Sequence, residues 1–389
     1  MKQFRINETH QVSPVYALFI IKGMQVGVSV FSFQRIVSRD SEQDAWIPVM
    51  VMGLSTLVIM WIMLRLLKNE QAYGMPDLFA MHRRFFGPWI GNLFSAVIIA
   101  YEFCIVIIFM RAYIELLQMW VFPRLPVLSF TAIFCLIVWY IVMGGFRTIT
   151  GTFLLSFIYL LPLFLVNSFS VTEAHFNNLL PLFDHSPAEL ARSFIKLSPC
   201  YLGFESLLFF YPFLKRPQQA EKWCYYGLLT SLSVYVTTTV LGTVYFSQGE
   251  LQTLIWPLLD FWKSIHFPLF DRFEYIGIVY WLTVLIPNIS MGVWIVSRGI
   301  KQSAPVIKQK YALVPVLLLL ILICVVMKER SQIDWLNTTV SRVGLCIIYI
   351  YIPFLLFWQW ILKKKEGMTH EKELSHHHDA DAAQRLHRR

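Results

Sequence analysis

The sequence predicts an all-α polytopic membrane protein with ten transmembrane helices. Hydrophobic residues make up 57% of the 389-residue chain and charged residues only 15%, whereas a soluble protein carries about 25% charged residues. Long apolar runs recur along the chain, each close to the ~20 residues that cross a bilayer as a helix. The predicted spans one to ten cover residues 12–37, 46–67, 88–119, 126–145, 150–170, 194–214, 218–246, 272–298, 311–328 and 335–362.

Loop charges predict the orientation of these spans. Lysine and arginine concentrate in the loops on the side of the N-terminus, and the opposite loops hold about half as many. Both termini are therefore predicted to be cytoplasmic, and the net charge of +9 indicates topology and not nucleic-acid binding. Residues 1–11 form the cytoplasmic N-terminus, residues 12–365 a single transmembrane domain, and the polar residues 366–389 a disordered cytoplasmic tail.

Two loops have a pattern of their own. The cytoplasmic stretch 71–87 ends in Met81-His82-Arg83-Arg84-Phe85-Phe86, which predicts a short helix at the membrane interface. The external stretch 248–274 contains two tryptophans and two prolines, and a loop of this length is predicted to fold back over the membrane as a cap.

Span six carries a charge at its centre. Glu205 lies about ten residues from either end of the span, near the middle of a bilayer at ~1.5 Å per residue. An ionisable side chain at this depth requires a partner, water or a ligand. Pro199 and Gly203 flank it, and both weaken a helix. A helix break inside the membrane is tolerated where it faces protein or a wet cavity, so Gly203, Phe204 and Glu205 form a candidate binding site.

Span one has a similar centre, with Lys22, Gly23, Gln25 and Gly27 close together. Span six follows five spans later, so the second half of the chain is inverted relative to the first. The sequence therefore predicts inverted repeats at about 12–170 and 194–362, with interrupted helices in corresponding positions. Lys22 is predicted to face a polar cavity, as the partner of Glu205 or Glu102 or as a contact for a ligand carboxylate. Two alternatives stay open: the glycines can be close-packing points between helices, and Lys22 can extend to the headgroups.

Spans three and eight add further polar groups at depth. Tyr101 and Glu102 lie in the middle of span three, and Glu102 can serve as a ligand contact or as the partner of a basic residue. In span eight, Pro287 precedes Asn288 and Ser290 and predicts a local irregularity with two polar side chains.

Three charged residues have a simpler interpretation. Arg111 lies nine residues beyond Glu102 toward the outside, and its long side chain is predicted to reach the interface. Arg272 and Glu274 open span eight and are predicted to hold the cap. The six cysteines lie in or at the ends of spans, so neither a disulfide nor a zinc site is expected.

Several motifs, in this order and spacing, resemble the B subunit of bacterial endospore nutrient-germinant receptors, the spore germination permease family. The likeness covers about residues 5–365. The motifs are Gly23-Met24-Gln25-Val26-Gly27-Val28, Asp44-Ala45-Trp46-Ile47-Pro48, Gly203-Phe204-Glu205-Ser206-Leu207-Leu208-Phe209 with Pro212-Phe213, Trp256-Pro257-Leu258-Leu259 and Asp271-Arg272-Phe273-Glu274-Tyr275.

The resemblance implies the five-plus-five inverted-repeat fold of the amino acid–polyamine–organocation transporters, with spans one and six unwound. It also implies a small nutrient, often an amino acid, bound between spans one, three, six and eight. The family works with a larger A subunit and a lipoprotein C subunit in the inner membrane of the spore. Met24 and Gln25 are bulkier than the small hydroxyl residues that the family implies near the break, which leaves the nutrient open. The candidate ligand-binding residues are Lys22, Gly23, Gln25, Gly27, Tyr101, Glu102, Gly203, Phe204, Glu205, Asn288 and Ser290.

These features favour a ligand-sensing receptor subunit, with a secondary amino-acid transporter as the alternative. Span five contains no lysine or carboxylate that could carry a coupled cation or proton, which argues against coupled transport. A scaffold subunit with a vestigial pocket is a third alternative. An enzyme is not expected, because no metal-ligand cluster, phosphate-binding loop or Ser/His/Asp spacing occurs, and no cofactor is implied.

Overall fold

The computed structural model describes residues 6–166, 174–265 and 272–365, and within these ranges the protein is a bundle of helices. The predicted disordered tail, 366–389, lies outside the described residues. The helices are α1 (Tyr16–Gln25), α2 (Phe33–Ser41), α3 (Trp46–Glu70), α4 (Leu78–Trp120), α5 (Val127–Met143), α6 (Phe146–Val166), α7 (Pro187–Lys196), α8 (Ser198–Tyr201), α9 (Leu207–Phe210), α10 (Glu221–Tyr245), α11 (Gln248–Thr253), α12 (Pro257–Lys263), α13 (Phe273–Ser303), α14 (Gln309–Val326) and α15 (Arg330–Cys346).

Seven stretches of the described chain are long and apolar enough to cross a membrane, which makes this an integral membrane protein. The apolar α5 is shorter, at 17 residues. The predicted spans one and six are divided into pieces, α1 with α2 and α7 to α9, so neither is one long helix. The count of ten spans and the inverted repeat stay predictions. The seven stretches are Phe33–Glu70, Leu78–Trp120, Phe146–Leu163, Pro217–Tyr245, Phe273–Ser303, Gln309–Val326 and Arg330–Lys365.

Helix α13 lies at the centre of the bundle and packs against α4, α6 and α14. In its apolar stretch 67% of the residues are buried, against 28% in the last span, which therefore has the larger lipid-facing surface. Helix α1 packs against α10 and α6, and α10 packs in turn against α3. In the sixth span, α8 packs against α3 and α15. Both interrupted spans are thus enclosed by other helices, where a broken helix is tolerated.

The prediction of a short helix before span three is confirmed, although the two run together in α4. Asp77 caps the start, since its carboxylate accepts a hydrogen bond from the amide of Ala80 at 2.8 Å. Gly87 interrupts the helix with φ 77° and ψ 176°, and Pro88 follows. The two arms pack closely, because a Cβ added at Gly91 would lie 2.4 Å from the carbonyl oxygen of His82.

The stretch that was predicted to form the cap contains the short helices α11 and α12, and its residues 266–271 lie outside the described residues. Helix α12 packs against α13 and against the turn Val28–Phe31 of span one. The Trp262 ring contacts Phe31 at 5.6 Å and Trp281 at 6.4 Å between ring centroids. Helix α12 therefore covers the end of the first interrupted span that is predicted to be external. Arg272 and Glu274 pair with each other at 2.9 Å beside it.

Arg111 is more enclosed than the sequence indicated. Its side chain is only 4% exposed, and its Nε and Nη1 have no hydrogen-bond partner among the described residues. The reason is that α4 continues to Trp120 and packs against α13, α14 and α15, which cover this side chain. That it reaches the interface stays a prediction.

The start of span one is tied to the end of span six. The amide of Val12 donates to the carbonyl of Phe213 at 2.9 Å, and the amide of Lys215 donates to the carbonyl of Val12 at 2.9 Å. Val12 and Leu214 thereby form one isolated parallel β-bridge. The two interrupted spans are joined at the end that is predicted to be cytoplasmic.

Candidate functional site

The predicted interruption of span one is present, one turn later than its first glycine. Helix α1 ends at Gln25, Val26 has φ −92° and ψ 83°, and Gly27 is extended before a 3₁₀ turn over Val28–Phe31. Gly23, which was predicted to open the helix, lies inside α1. A Cβ there would lie 2.4 Å from Cδ1 of Phe153 in α6, so Gly23 lets two helices approach closely.

The predicted interruption of span six occurs at Leu202 and Gly203, between α8 and a 3₁₀ turn over Phe204–Ser206. Gly203 has φ 107°, in a region that L-residues rarely adopt. A Cβ at Gly203 would also lie 2.4 Å from the carbonyl oxygen of Met24, in the last turn of α1. The backbones of the two interrupted spans therefore touch at this glycine.

Hydrogen bonds connect the two interruptions. The Gln25 side-chain amide donates to the carbonyl oxygen of Tyr201 at 3.2 Å. The Tyr235 hydroxyl, from α10, donates to the carbonyl oxygen of Gln25 at 2.9 Å, and the Tyr201 hydroxyl donates to that of Val49 at 2.9 Å. The last carbonyls of a helix have no intrahelical partner, and here side chains from other helices bind those of Tyr201, at the end of α8, and Gln25, at the end of α1.

Glu205 lies directly beside the second interruption and is 3% exposed. One carboxylate oxygen accepts the hydroxyl of Tyr101 at 3.0 Å, and the other accepts the amide of Gly203 at 2.6 Å. Glu102, the next residue of α4, is equally buried. Span three thus contacts span six through Tyr101, with Glu102 buried beside it.

Lys22 was predicted to face a polar cavity as a partner of Glu205 or Glu102. It is buried, which excludes an extended side chain at the headgroups, and its Nζ lies 5.7 Å from the ring centroid of Phe157 in α6. Its role as a partner of Glu205 or Glu102, or as a contact for a ligand carboxylate, stays a prediction.

Four polar side chains around the interruptions contain buried atoms without a hydrogen-bond partner among the described residues. They are Gln25 (Oε1), Ser206 (Oγ), Asn288 (Nδ2 and Oδ1) and Ser290 (Oγ). A buried polar atom that is left unpaired costs about 1–3 kcal/mol. Such atoms concentrate where a ligand or ordered water completes the hydrogen bonds. Three of these residues were predicted; Ser206 was in a recognised motif but was not selected.

The predicted residues lie at two levels along the axis of the helix bundle. Helices α4 and α13 are antiparallel, and Gly292 lies against Val106. Along α4, Val106 lies one turn from Glu102 toward the end that is predicted to be external. Along α13, Asn288 lies one turn from Gly292 in that same direction. Asn288 therefore lies ~12 Å from the level of Glu102 along the bundle, at 1.5 Å per residue. Helix α13 continues through Pro287, so the irregularity predicted there does not interrupt it.

Among the described residues, no group of three or more His, Cys, Asp or Glu side chains is placed to hold a metal ion. The site is instead two interrupted helices in contact, with buried carboxyls and unpaired polar atoms around them. Such a site inside a bundle of membrane spans defines a permease-like integral membrane protein.

Comparison with known proteins gives the family. Residues 11–333 match the spore permease family model, described as spore germination protein. The chain belongs to this family, as the motifs predicted.

Individual relatives span nearly the whole chain. Spore germination protein GerQB of Bacillus cereus is 33% identical over 365 residues, covering 93% of this chain and 98% of that protein. In Bacillus subtilis (strain 168), spore germination protein YndE is 25% identical over 360 residues, 90% of this chain and 96% of the relative. Spore germination protein A2 of the same strain is 22% identical over 355 residues, which cover 89% of this chain and 94% of that protein.

Proposed function

We propose that this chain is the membrane B subunit of a spore germinant receptor, which binds a small nutrient between spans one and six and signals germination. The observation that carries the proposal is the buried Glu205 beside a helix interruption, with unpaired polar atoms around it. In this proposal the chain has ten spans in two inverted halves, with both termini in the cytoplasm. It lies in the inner spore membrane and works with an A subunit and a lipoprotein C subunit.

The chemistry of the site favours a ligand with an ammonium group, such as an amino acid. Glu205 offers a negative charge, and the unpaired Oε1 of Gln25 is a second acceptor. Helix α1, which carries Gln25, packs against the turn Phe204–Ser206, so these acceptors lie in one region. The Ser206 hydroxyl can donate to the ligand carboxylate. Asn288 and Ser290, at the outer level, would contact the ligand side chain or bound water.

A secondary amino-acid transporter is the alternative, because the same site could feed alternating access. Helix α6 contains no lysine, aspartate or glutamate, whereas Glu102 and Glu205 could relay protons. Uptake of radiolabelled amino acid into proteoliposomes distinguishes the two functions. A sensor binds the amino acid without concentrating it, and a transporter accumulates it.

The test of ligand binding is Glu205→Gln, which removes the charge and keeps size and hydrogen bonding. In spores, we expect normal protein abundance. The nutrient concentration required for germination should rise roughly ten- to a hundred-fold, which corresponds to a loss of about one to three kcal/mol of binding free energy. Glu221→Gln is the matched control, because Glu221 pairs with Lys68 at the protein surface. It should leave the nutrient requirement unchanged.

A second variant separates ligand binding from a structural ion pair. If Glu205 stabilised Lys22, Glu205→Gln would lower protein abundance, as breaking a buried pair does, and Lys22→Met would restore it in the double variant. We expect no such rescue. Restored abundance and germination in the double variant would show that Glu205 has a structural role and would overturn the proposed one.

A further inference from the structure

A cavity that is separate from the interruptions lies at the end of the bundle that is predicted to be cytoplasmic. It has a volume of about 350 Å³ and lies between the start of α6, the end of the sixth span, the end of α13 and the start of α14. His10, from the segment before span one, also lines it.

The lining of this cavity is strongly basic. Arg298, Lys301 and Lys310 contribute three cations, and none of the described residues that line the cavity is an aspartate or glutamate. Arg298 is 8% exposed; its Nη2 pairs with Asp77 at 3.0 Å, and its Nε has no hydrogen-bond partner among the described residues. An occupant with negative charge would satisfy this excess of donors.

The walls of the cavity are apolar, and its surroundings face the membrane. Val142 and Leu313 line it, together with the rings of Phe146, Phe213 and Trp294. Adjacent positions on α5 and α14 expose large apolar side chains, which in a membrane contact lipid tails. They are Tyr140, Met143, Tyr311 and Val314. An occupant of this cavity therefore contacts cations and lies next to a surface that faces hydrocarbon.

We propose that this cavity binds the headgroup of an anionic phospholipid, with its phosphodiester at Arg298, Lys301 and Lys310. Basic pockets between transmembrane helices on the cytoplasmic side are suited to anionic headgroups. The apolar surface along α5 and α14 accommodates the acyl chains, which a free anion does not have. The bound lipid joins the ends of spans six and eight to spans five and nine, and the proposal is independent of the nutrient site.

The experiment measures the thermal stability of the purified full chain in a neutral detergent. Phosphatidylglycerol is titrated in, with phosphatidylcholine of the same acyl chains as the zwitterionic comparison. The test variant is Lys301→Gln with Lys310→Gln. The control is Lys215→Gln with Lys308→Gln, which removes two exposed cytoplasmic lysines that do not line the cavity. Net charge is the same in both double variants.

We expect phosphatidylglycerol to stabilise the unaltered chain and the control more than phosphatidylcholine does. The test variant should require about tenfold more phosphatidylglycerol for the same shift. Equal responses to the two lipids, or equal losses in both double variants, would overturn the proposal. A third arm uses glycerol phosphate: stabilisation as large as that by phosphatidylglycerol would show a site for free anions and would contradict lipid binding.

Discussion

Gly203 is the residue at which the two interrupted spans depend most directly on each other, and Gly203→Ala tests that dependence. The substitution adds one methyl group, which is unfavourable for two reasons. The backbone has φ 107°, which strains a residue with a Cβ. The new Cβ would also lie 2.4 Å from the carbonyl oxygen of Met24 and 2.8 Å from its carbon, so it meets backbone and not a flexible side chain.

The two effects can be sized separately. A left-handed conformation costs a non-glycine residue roughly 1–2 kcal/mol. Forcing an extra carbon into a packed interior costs typically 1–3 kcal/mol. The free energy of unfolding of Gly203→Ala should therefore fall by about 2–5 kcal/mol. The protein would relieve part of this by separating the interruptions, which lengthens the 3.2 Å hydrogen bond from Gln25 to Tyr201.

Two other glycines provide matched controls. Gly145 has φ 84° but open space around its Cβ position, so Gly145→Ala measures the backbone strain alone. Gly151 lies in α6 with nothing within 4 Å and no positive φ, so Gly151→Ala should be neutral or slightly stabilising. The assay is chemical unfolding of the purified protein in detergent, followed by tryptophan fluorescence. If Gly203→Ala costs no more than Gly145→Ala, the contact with Met24 does not hold the interruptions together.

Two further predictions concern the loops. In a background with Cys346→Ser, Thr253→Cys should react with a membrane-impermeant maleimide added outside intact cells. Gln219→Cys should react only after permeabilisation. The reverse pattern would refute the predicted orientation. Asp44→Asn should lower the free energy of unfolding by about 1.5–3 kcal/mol, because the buried carboxylate accepts the amides of residues 183, 184 and 185 at 2.9, 2.8 and 3.2 Å. Asp184→Asn is the control, because Asp184 lies in the loop that Asp44 binds but has an exposed side chain. It should change the free energy of unfolding little.

The positions of the interruptions could be predicted because a charge and a helix-weakening residue coincide in a long apolar run. This was accurate for span six, where Gly203 has a positive φ. It was accurate only to one turn for span one, because Gly23 serves close packing against Phe153. A glycine in a membrane helix has the same sequence signature in both roles, so periodicity could not separate them.

Other parts of the site could not be predicted because they depend on contacts between distant parts of the chain. Tyr235 and Gln25 are 210 positions apart, and nothing around Tyr235 distinguishes it from a lipid-facing residue. The burial of Arg111 depends on the helices that pack around α4, which the sequence of α4 alone does not specify. The separation of Asn288 from Glu102 depends on the register of α13 against α4, which a single sequence does not specify.

The contacts of Glu205 suggest how occupancy could change the protein. Both of its oxygens already accept hydrogen bonds, one from span three through Tyr101 and one from the interruption itself through Gly203. An ionised carboxylate offers about four lone-pair sites, so a ligand ammonium at Glu205, as proposed, can bind beside these two donors. Any movement of the carboxylate toward the ammonium is passed to span three through Tyr101 and to the turn that touches Met24 through Gly203. A ligand shifts a conformational equilibrium only through unequal affinity for two states. Nutrient would therefore favour the arrangement of these two contacts that places Glu205 best for the ammonium.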